Sequence, residues 1–248
     1  VRVESSSNDS NSWVGPYFDA IPDLDHSIYR WHFHTNKRSV DLDLSSRVGQ
    51  SVFKMLLSQA DVLIDTLRPS EASPLKLESS KIREKYPSLV HTTINGFDSR
   101  GPYREYKAPD IVALAMSGLM AITGFPEDPP NQMGAEQAYH MGSLHAAVGT
   151  LLALLKRDMD GIGRDINVSI QECASMSTLQ TANFNFYTLH GIVRSRTGLE
   201  HPFSTQDHTL RNLPRTLYAS KDGWVAYAAH LAPPTAWSQF VKWLSSHG

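Results

Sequence analysis

Between residues 38 and 94, short β-branched runs alternate with amphipathic stretches, and this order restricts the fold more than any other feature of the chain. RSVDLDL at 38–44 reads as a strand. Ser45 or Ser46 can cap a following helix on which Val48, Val52, Phe53, Leu56 and Leu57 share one face. ADVLID at 60–65 is a second strand, a helix is expected over 75–86 with Pro87 closing it, and LVHTTI at 89–94 is a third strand. Strands that follow one another through helices pair in parallel, because parallel neighbours need a crossover connection. The predicted class is therefore α/β, a parallel sheet with flanking helices, and ligands are expected on loops at the carboxyl ends of its strands.

Farther on, residues 110–123 read as helix, 124–131 as a Pro-rich turn region, and 138–159 as a long helix ended by DGIG. RDINVSI at 164–170 returns to strand, and 171–190 to helix. The polar stretch 191–215 has no clear period and is the natural domain boundary, while SSSNDSNS at 5–12 reads as a loop. Asp222-Gly223 between TLYAS and WVAYAAH signals a hairpin, and Pro234 opens a final amphipathic helix.

Lys and Arg number 23 against 25 Asp and Glu, a formal charge of −2 with no basic cluster. Nucleic-acid backbones and anionic lipid surfaces require a positive footprint that this balance lacks, so neither is an expected partner. The longest apolar run, near 146–155, is interrupted by Gly149 and falls well short of the ~20 residues that span a bilayer, so no membrane segment is expected. A single cysteine, Cys173, cannot form an internal disulfide, which fits a reducing compartment and a cytoplasmic location. The N-terminal VRVE carries no Met, basic segment or apolar segment, so no signal peptide is visible and the chain reads as starting inside a longer protein.

Among the histidines, His32-x-His34 would share one side of a strand, but no HExxH and no second cysteine accompany it, so no metal site is expected. Cys173 beside Ala174 and Met176 suits a small buried side chain better than a nucleophile. GIGRD at 161–165 is a helix-ending turn, not a dinucleotide fingerprint. More informative are Arg68 in TLRPS and GFDSRGPY at 96–103, because each directly follows a strand. An Arg there, with Pro69 fixing the chain beyond it, can hold a phosphate or carboxylate through a bidentate contact. Asn36-Lys37-Arg38 adds a second cationic group, and together they point to an anionic ligand, though each alone reads as a solvated loop.

NKRSVDLDL at 36–44, ADVLIDTLRPS at 60–70, YPSLVHTTINGFDSRGPY at 86–103, APDIVALAMSGLMAITG at 108–124, LLALLKRDMDGIGRDINVSI at 151–170 and YASKDGW at 218–224 stand in a recognisable order. In that order they resemble the class III CoA-transferases, the family of formyl-CoA transferase, carnitine CoA-transferase and α-methylacyl-CoA racemase. VRVE is similar to the strand that follows the family's first strand and helix, so both ends are expected to be truncated relative to it. The resemblance implies a Rossmann-like large domain over 1–198, the linker and start of a smaller domain over 199–248, and two protomers interlocked like chain links. It also implies coenzyme A or acyl-CoA as substrate without a metal, a carboxylic acid as second substrate, and pairing with a second copy or a related chain. By motif, Arg38, Arg68 and Lys107 match the family's basic contacts to the nucleotide and phosphates, while Asn95 and Phe97 match strand-end contacts to the rest of CoA.

In the family mechanism an aspartate carboxylate attacks the acyl-CoA thioester, the thiolate leaves, and a mixed anhydride forms. An aspartyl-CoA thioester follows before the acceptor acid is acylated. Counting back from the arginine matched by Arg157 places the aspartate's slot at Tyr139, or at Ala138 with the racemase spacing, and neither can do this chemistry. Glu136 is the nearest carboxylate; its ordinary reading is an acid favoured by a helix N-terminus, with Tyr139 and His140 filling the vacated pocket. Pro109 stands where the racemase branch has a histidine, which argues against racemisation. Three readings follow: a transferase using Glu136, a catalytically silent CoA-binding subunit or tandem half, and a CoA-thioester isomerase or lyase using Tyr139 or His140. The family names the function, and the chain by itself is expected to transfer weakly or not at all.

Overall fold

The computed structural model describes residues 1–4, 15–23, 25–196, 217–226 and 234–247; the loop expected at 5–12 and residues 197–215 of the boundary stretch lie outside them. Packing divides the chain into two units, Val1–Thr93 with Ala146–Asn167, and Ile94–His145 with Val168–Gly248. The division falls inside the stretch 1–198 read as one domain.

In the first unit, β1 (Arg2–Glu4) runs parallel to β2 (Ser39–Asp41), with α1 (Ile28–His34) between them in the chain. His32 and His34 therefore lie on a helix and not on a strand. Ser27 starts it, its hydroxyl accepting the Arg30 N–H at 3.2 Å. Ser46 does the same for α2 (Arg47–Leu57), accepting the Gly49 N–H at 3.0 Å. Phe53 and Leu57 of α2 pack against Leu77, Ile82 and Leu89. Val48, expected on that face, is 75% exposed. It precedes Phe53 and Leu57 by rotations of about 140° and 180°, so burying them turns Val48 outward.

β3 (Val62–Asp65) pairs in parallel with β4 (Val90–Asn95), Val62 opposite Val90. The strand order is β3-β4-β5, with β5 at Asp165–Ser169. Among the described residues this three-stranded sheet is separate from the β1-β2 pair, so the expected parallel sheet is realised in two pieces. The single helix expected over 75–86 is instead α3 (Pro69–Leu75) and α4 (Ser79–Lys85). Pro69, with its φ already set, opens the first early, and Lys76 in the left-handed region at φ 59 ends it.

His91 lies fully buried in β4, its Nε2 2.5 Å from Asp65 Oδ2 and its Nδ1 3.9 Å from Asp165 Oδ1. Thr93 donates to the same Asp65 oxygen at 3.3 Å, and Arg83 pairs with Asp165. A side chain this far from water is tolerable because carboxylates from β3 and β5 stand on either side of it. Deeper in this unit the Thr92 and Thr150 hydroxyls hydrogen-bond at 2.7 Å.

The second unit carries α5 (Asp110–Met116), the start of α6 (Gln137–Asp160), α7 (Ile170–Ser175) and α8 (Thr178–His190). Leu114, Leu119, Ala138 and Ala174 form its core, with Met141 and Ile170 against them. The helix expected over 110–123 stops at Met116 and resumes as a 3-10 turn after Gly118, whose φ of 85 breaks the α ladder. That expected over 171–190 is interrupted at Met176 and Ser177, the latter in extended backbone as the start of α8. Cys173 is buried, and burial followed by the Glu172 charge pushes its thiol above the ordinary cysteine value. β6 (Leu217–Ala219) and β7 (Trp224–Ala226) form the expected antiparallel hairpin, and α9 (Pro234–Ser246) follows.

Among the described residues one helix, α6, is long and apolar enough to cross a membrane by length and composition. Its last turns carry Lys156, Arg157, Asp158 and Asp160, and Arg157 reaches Asp61 at 3.0 Å.

Gly163 precedes β5 so closely against β4 that a Cβ there would meet the Leu89 carbonyl oxygen at 2.1 Å. Backbone cannot step aside as a side-chain tip can. Gly163→Ala should destabilise the fold by about 1–3 kcal/mol, the cost of overpacking, and urea unfolding of the two proteins measures it.

Candidate functional site

The start of α6 carries the residues expected to do chemistry, and its geometry is unusual. Ala135 and Glu136, immediately before it, are both in the left-handed region at φ 61 and 50. An N-cap residue ordinarily sits in extended backbone and bonds the first-turn donors with its own side chain. Here Asp110, from the start of α5, takes that role: its Oδ1 accepts from the Ala138 N–H at 2.9 Å and the Tyr139 N–H at 3.3 Å. The Gln132 amide donates to its other oxygen at 3.3 Å. With only 6% of its surface exposed, this carboxylate is a fixture of the helix start and not an available nucleophile.

Both possible aspartate slots are thereby accounted for. Ala138 is fully buried in the core. Tyr139 is half-buried and its hydroxyl donates to the Ala108 carbonyl at 3.2 Å. Burial, then the charges of Asp110 and Glu136, hold its phenol above the ordinary tyrosine value, so it stands as a neutral donor. Glu136 and His140 are one helical turn apart, the His140 N–H donating to the Glu136 carbonyl at 3.2 Å, and both side chains are partly buried.

Upstream in the same unit, Asn95 and Phe97 are buried at the end of β4, while Lys107 is exposed. Gly96 lies so near Ala108 that a Cβ on it would meet the Ala108 Cβ at 2.2 Å, which brings the two ends of the 96–108 loop together. Phe97, Tyr103 and Tyr106 form a ladder of rings with centroids 5.5 and 5.3 Å apart, ending beside Lys107 in the chain. The rings are tilted against one another, Phe97 buried and the two tyrosines exposed, so Tyr103 and Tyr106 present the apolar surface of this loop.

In the first unit, Arg38 is exposed and Arg68 stands at the start of α3. The Arg68 backbone N–H donates to Glu71 at 3.0 Å and its guanidinium pairs with the same carboxylate, so the expected anion contact already holds an internal acid. A pocket of about 410 Å³ lies elsewhere in this unit, lined by Arg2, Arg30, His34 and Lys37, with Glu4 the one acid among the described residues that line it. Glu4 is shared by Arg2 at 3.0 Å and Arg30 at 3.7 Å. Burial, then the charges of Arg2, Lys37 and Arg30, push His34 below the ordinary histidine value.

Sequence reasoning had marked Lys37 and Arg38 but not Arg2 or Arg30, which only the β1–β2 pairing brings beside them. Asp110 carried no mark either: it opens α5 without capping it and caps α6 instead, a contact 28 positions away that no local pattern announces. No group of three or more potential metal ligands occurs among the described residues.

Two outcomes follow from this geometry. Asp110→Asn keeps the shape but faces an amide toward two N–H donors, and should cost about 1–2 kcal/mol in urea unfolding. Because the folded state lowers the His34 value, its contribution to stability is present above the ordinary histidine range and is lost as pH falls through the lowered value. Stability measured against pH should therefore fall less steeply on the acid side in His34→Gln than in the parent.

A family model described as CoA-transferase family III matches residues 1–247. Over 249 aligned residues the chain is 29% identical to the succinyl-CoA:(R)-benzylsuccinate CoA-transferase subunit BbsE of Thauera aromatica, covering 100% of this chain and 58% of that one. It is 30% identical over 197 residues to the succinyl-CoA–D-citramalate CoA-transferase of Chloroflexus aurantiacus, covering 79% of this chain and 46% of the relative. A solved CAIB/BAIF family protein from Brucella suis aligns with a TM-score of 0.75 at 24% identity, over 91% of this chain and 57% of that one, a likeness of fold. The chain thus spans about half the length of these relatives.

Proposed function

The chain belongs to CoA-transferase family III, and from that premise we propose that it is a CoA-binding chain serving CoA transfer between carboxylic acids, with the attacking carboxylate supplied by a second, related chain. The observation that carries this reading is Tyr139, whose hydroxyl is tied to the Ala108 carbonyl in the slot where the family chemistry needs an acid. A phenol held neutral cannot form the mixed anhydride that a thiolate reopens.

Arg38, Arg68 and Lys107 are assigned to the phosphates of CoA, and Asn95 and Phe97 to the remainder of the molecule. The Arg68–Glu71 pair fits this role, since an ion pair near the surface contributes little and a phosphate can replace the carboxylate. The large domain is assigned to 1–198 and the smaller one to begin near 199, in a cytoplasmic assembly of interlocked protomers. The succinyl-CoA:(R)-benzylsuccinate relative is itself a subunit, which favours a heteromer over a second identical copy.

A second reading keeps catalysis within this chain through Glu136, favoured by its place at the helix start, where the dipole stabilises a carboxylate. One experiment separates them. Pure protein is incubated with acyl-CoAs and acceptor acids, and hydroxylamine traps any enzyme-bound anhydride or thioester. The expected result is saturable CoA binding, weakened about tenfold in Arg38→Glu, with no trapped adduct and negligible turnover. Turnover and an adduct, both lost in Glu136→Gln, would establish the second reading instead, and absence of CoA binding would sink the assignment altogether.

A further inference from the structure

None of the residues assigned above lines a second pocket in the first unit, of about 290 Å³, between α2 and the α3–α4 segment. One wall follows from helical spacing, since Gln50, Phe53, Lys54 and Leu57 stand at i, i+3, i+4 and i+7 of α2. Leu75, Leu77 and the Tyr86 ring complete an apolar floor. The ring is held in place by its hydroxyl, which donates to the Lys54 carbonyl at 3.3 Å.

Around this floor stand Lys54, Lys76, Lys81 and Lys85, and among the described residues no carboxylate lines the pocket. Two of these cations are engaged: Lys81 bonds Glu78 at 2.7 Å, and the Lys85 ammonium lies 5.4 Å from the centre of the Tyr86 ring. Lys54 and Lys76 make no ion pair among the described residues. Lys76 owes its position to the left-handed turn between α3 and α4, fixed by its N–H bonding the Ala72 and Ser73 carbonyls. Exposed cations at the rim of an apolar slot, two of them without an ion pair among the described residues, complement a ligand that is apolar at one end and anionic at the other. The volume is at the lower edge of the roughly 300–1,000 Å³ of small-molecule sites, enough for one acyl chain or one ring but not for a whole CoA.

We propose that this pocket binds a free amphipathic monocarboxylate, a medium-chain or arylalkyl acid, its tail among Phe53, Leu57 and Leu75 and its carboxylate between Lys54 and Lys76. The site stands apart from the CoA reading and does not depend on it. Calorimetric titration of the full chain with decanoate tests it. Single-site binding is expected, with decanol, which lacks the charge, binding about tenfold or more weakly. The double variant Lys54→Glu/Lys76→Glu should lose about tenfold in affinity at unchanged circular dichroism. Gln50→Trp, which fills the mouth of the pocket from a partly exposed position, should weaken binding without touching a charge. Absence of decanoate binding by the folded parent protein overturns the proposal, as does affinity undiminished in both variants. Displacement of decanoate by adenosine 3′,5′-bisphosphate also overturns it, since the lysines would then belong to a nucleotide site.

Discussion

A buried carboxylate at the start of the longest helix governs what the second unit can present to a substrate. The first turn of any helix leaves backbone N–H groups without partners, and a buried orphan donor is costly. In this chain the residues before α6 turn left-handed, so the donors of Ala138 and Tyr139 are met by Asp110, 28 and 29 positions away in sequence. That contact turns Ala138 into the core and leaves Tyr139 leaning on the Ala108 carbonyl. What this place presents is therefore set by tertiary packing: a methyl group turned into the core at position 138 and a tethered phenol at position 139.

The first unit sets charged groups around an apolar core. Its sheet accommodates a fully buried histidine because Asp65 and Asp165 flank it from neighbouring strands. Its surfaces gather cations in two places with opposite surroundings. Arg2, Arg30 and Lys37 share an open, polar pocket with one acid, whereas Lys54 and Lys76 stand over an apolar floor. A formal charge of −2 for the whole chain conceals both clusters, since net charge carries no information about which signs are neighbours.

Much of the architecture was legible in sequence for local reasons. Ser46 capping α2 and Gly161 at φ 75 ending α6 are each decided by one residue with a strong backbone preference. Continuous helices over 75–86, 110–123 and 171–190 were not realised, because apolar periodicity persists across a break that a single residue makes. Lys76 at φ 59 shows the limit well, as nothing in its chemistry announces a left-handed residue. Val48 was misplaced for a related reason: periodicity identifies a stripe but not which edge of it the core will bury.

The sequence by itself determined the α/β alternation, the family, and the absence of an aspartate at Ala138 and Tyr139, because these depend only on residue order and identity. Only the tertiary structure decided that Asp110 caps α6, that Arg68 is held by Glu71, and that Arg2 and Arg30 join Lys37 around one acid. All but the Arg68–Glu71 contact link segments far apart in the chain, and hydrogen bonds and ion pairs act over a few ångströms of space, whatever the number of residues between their partners.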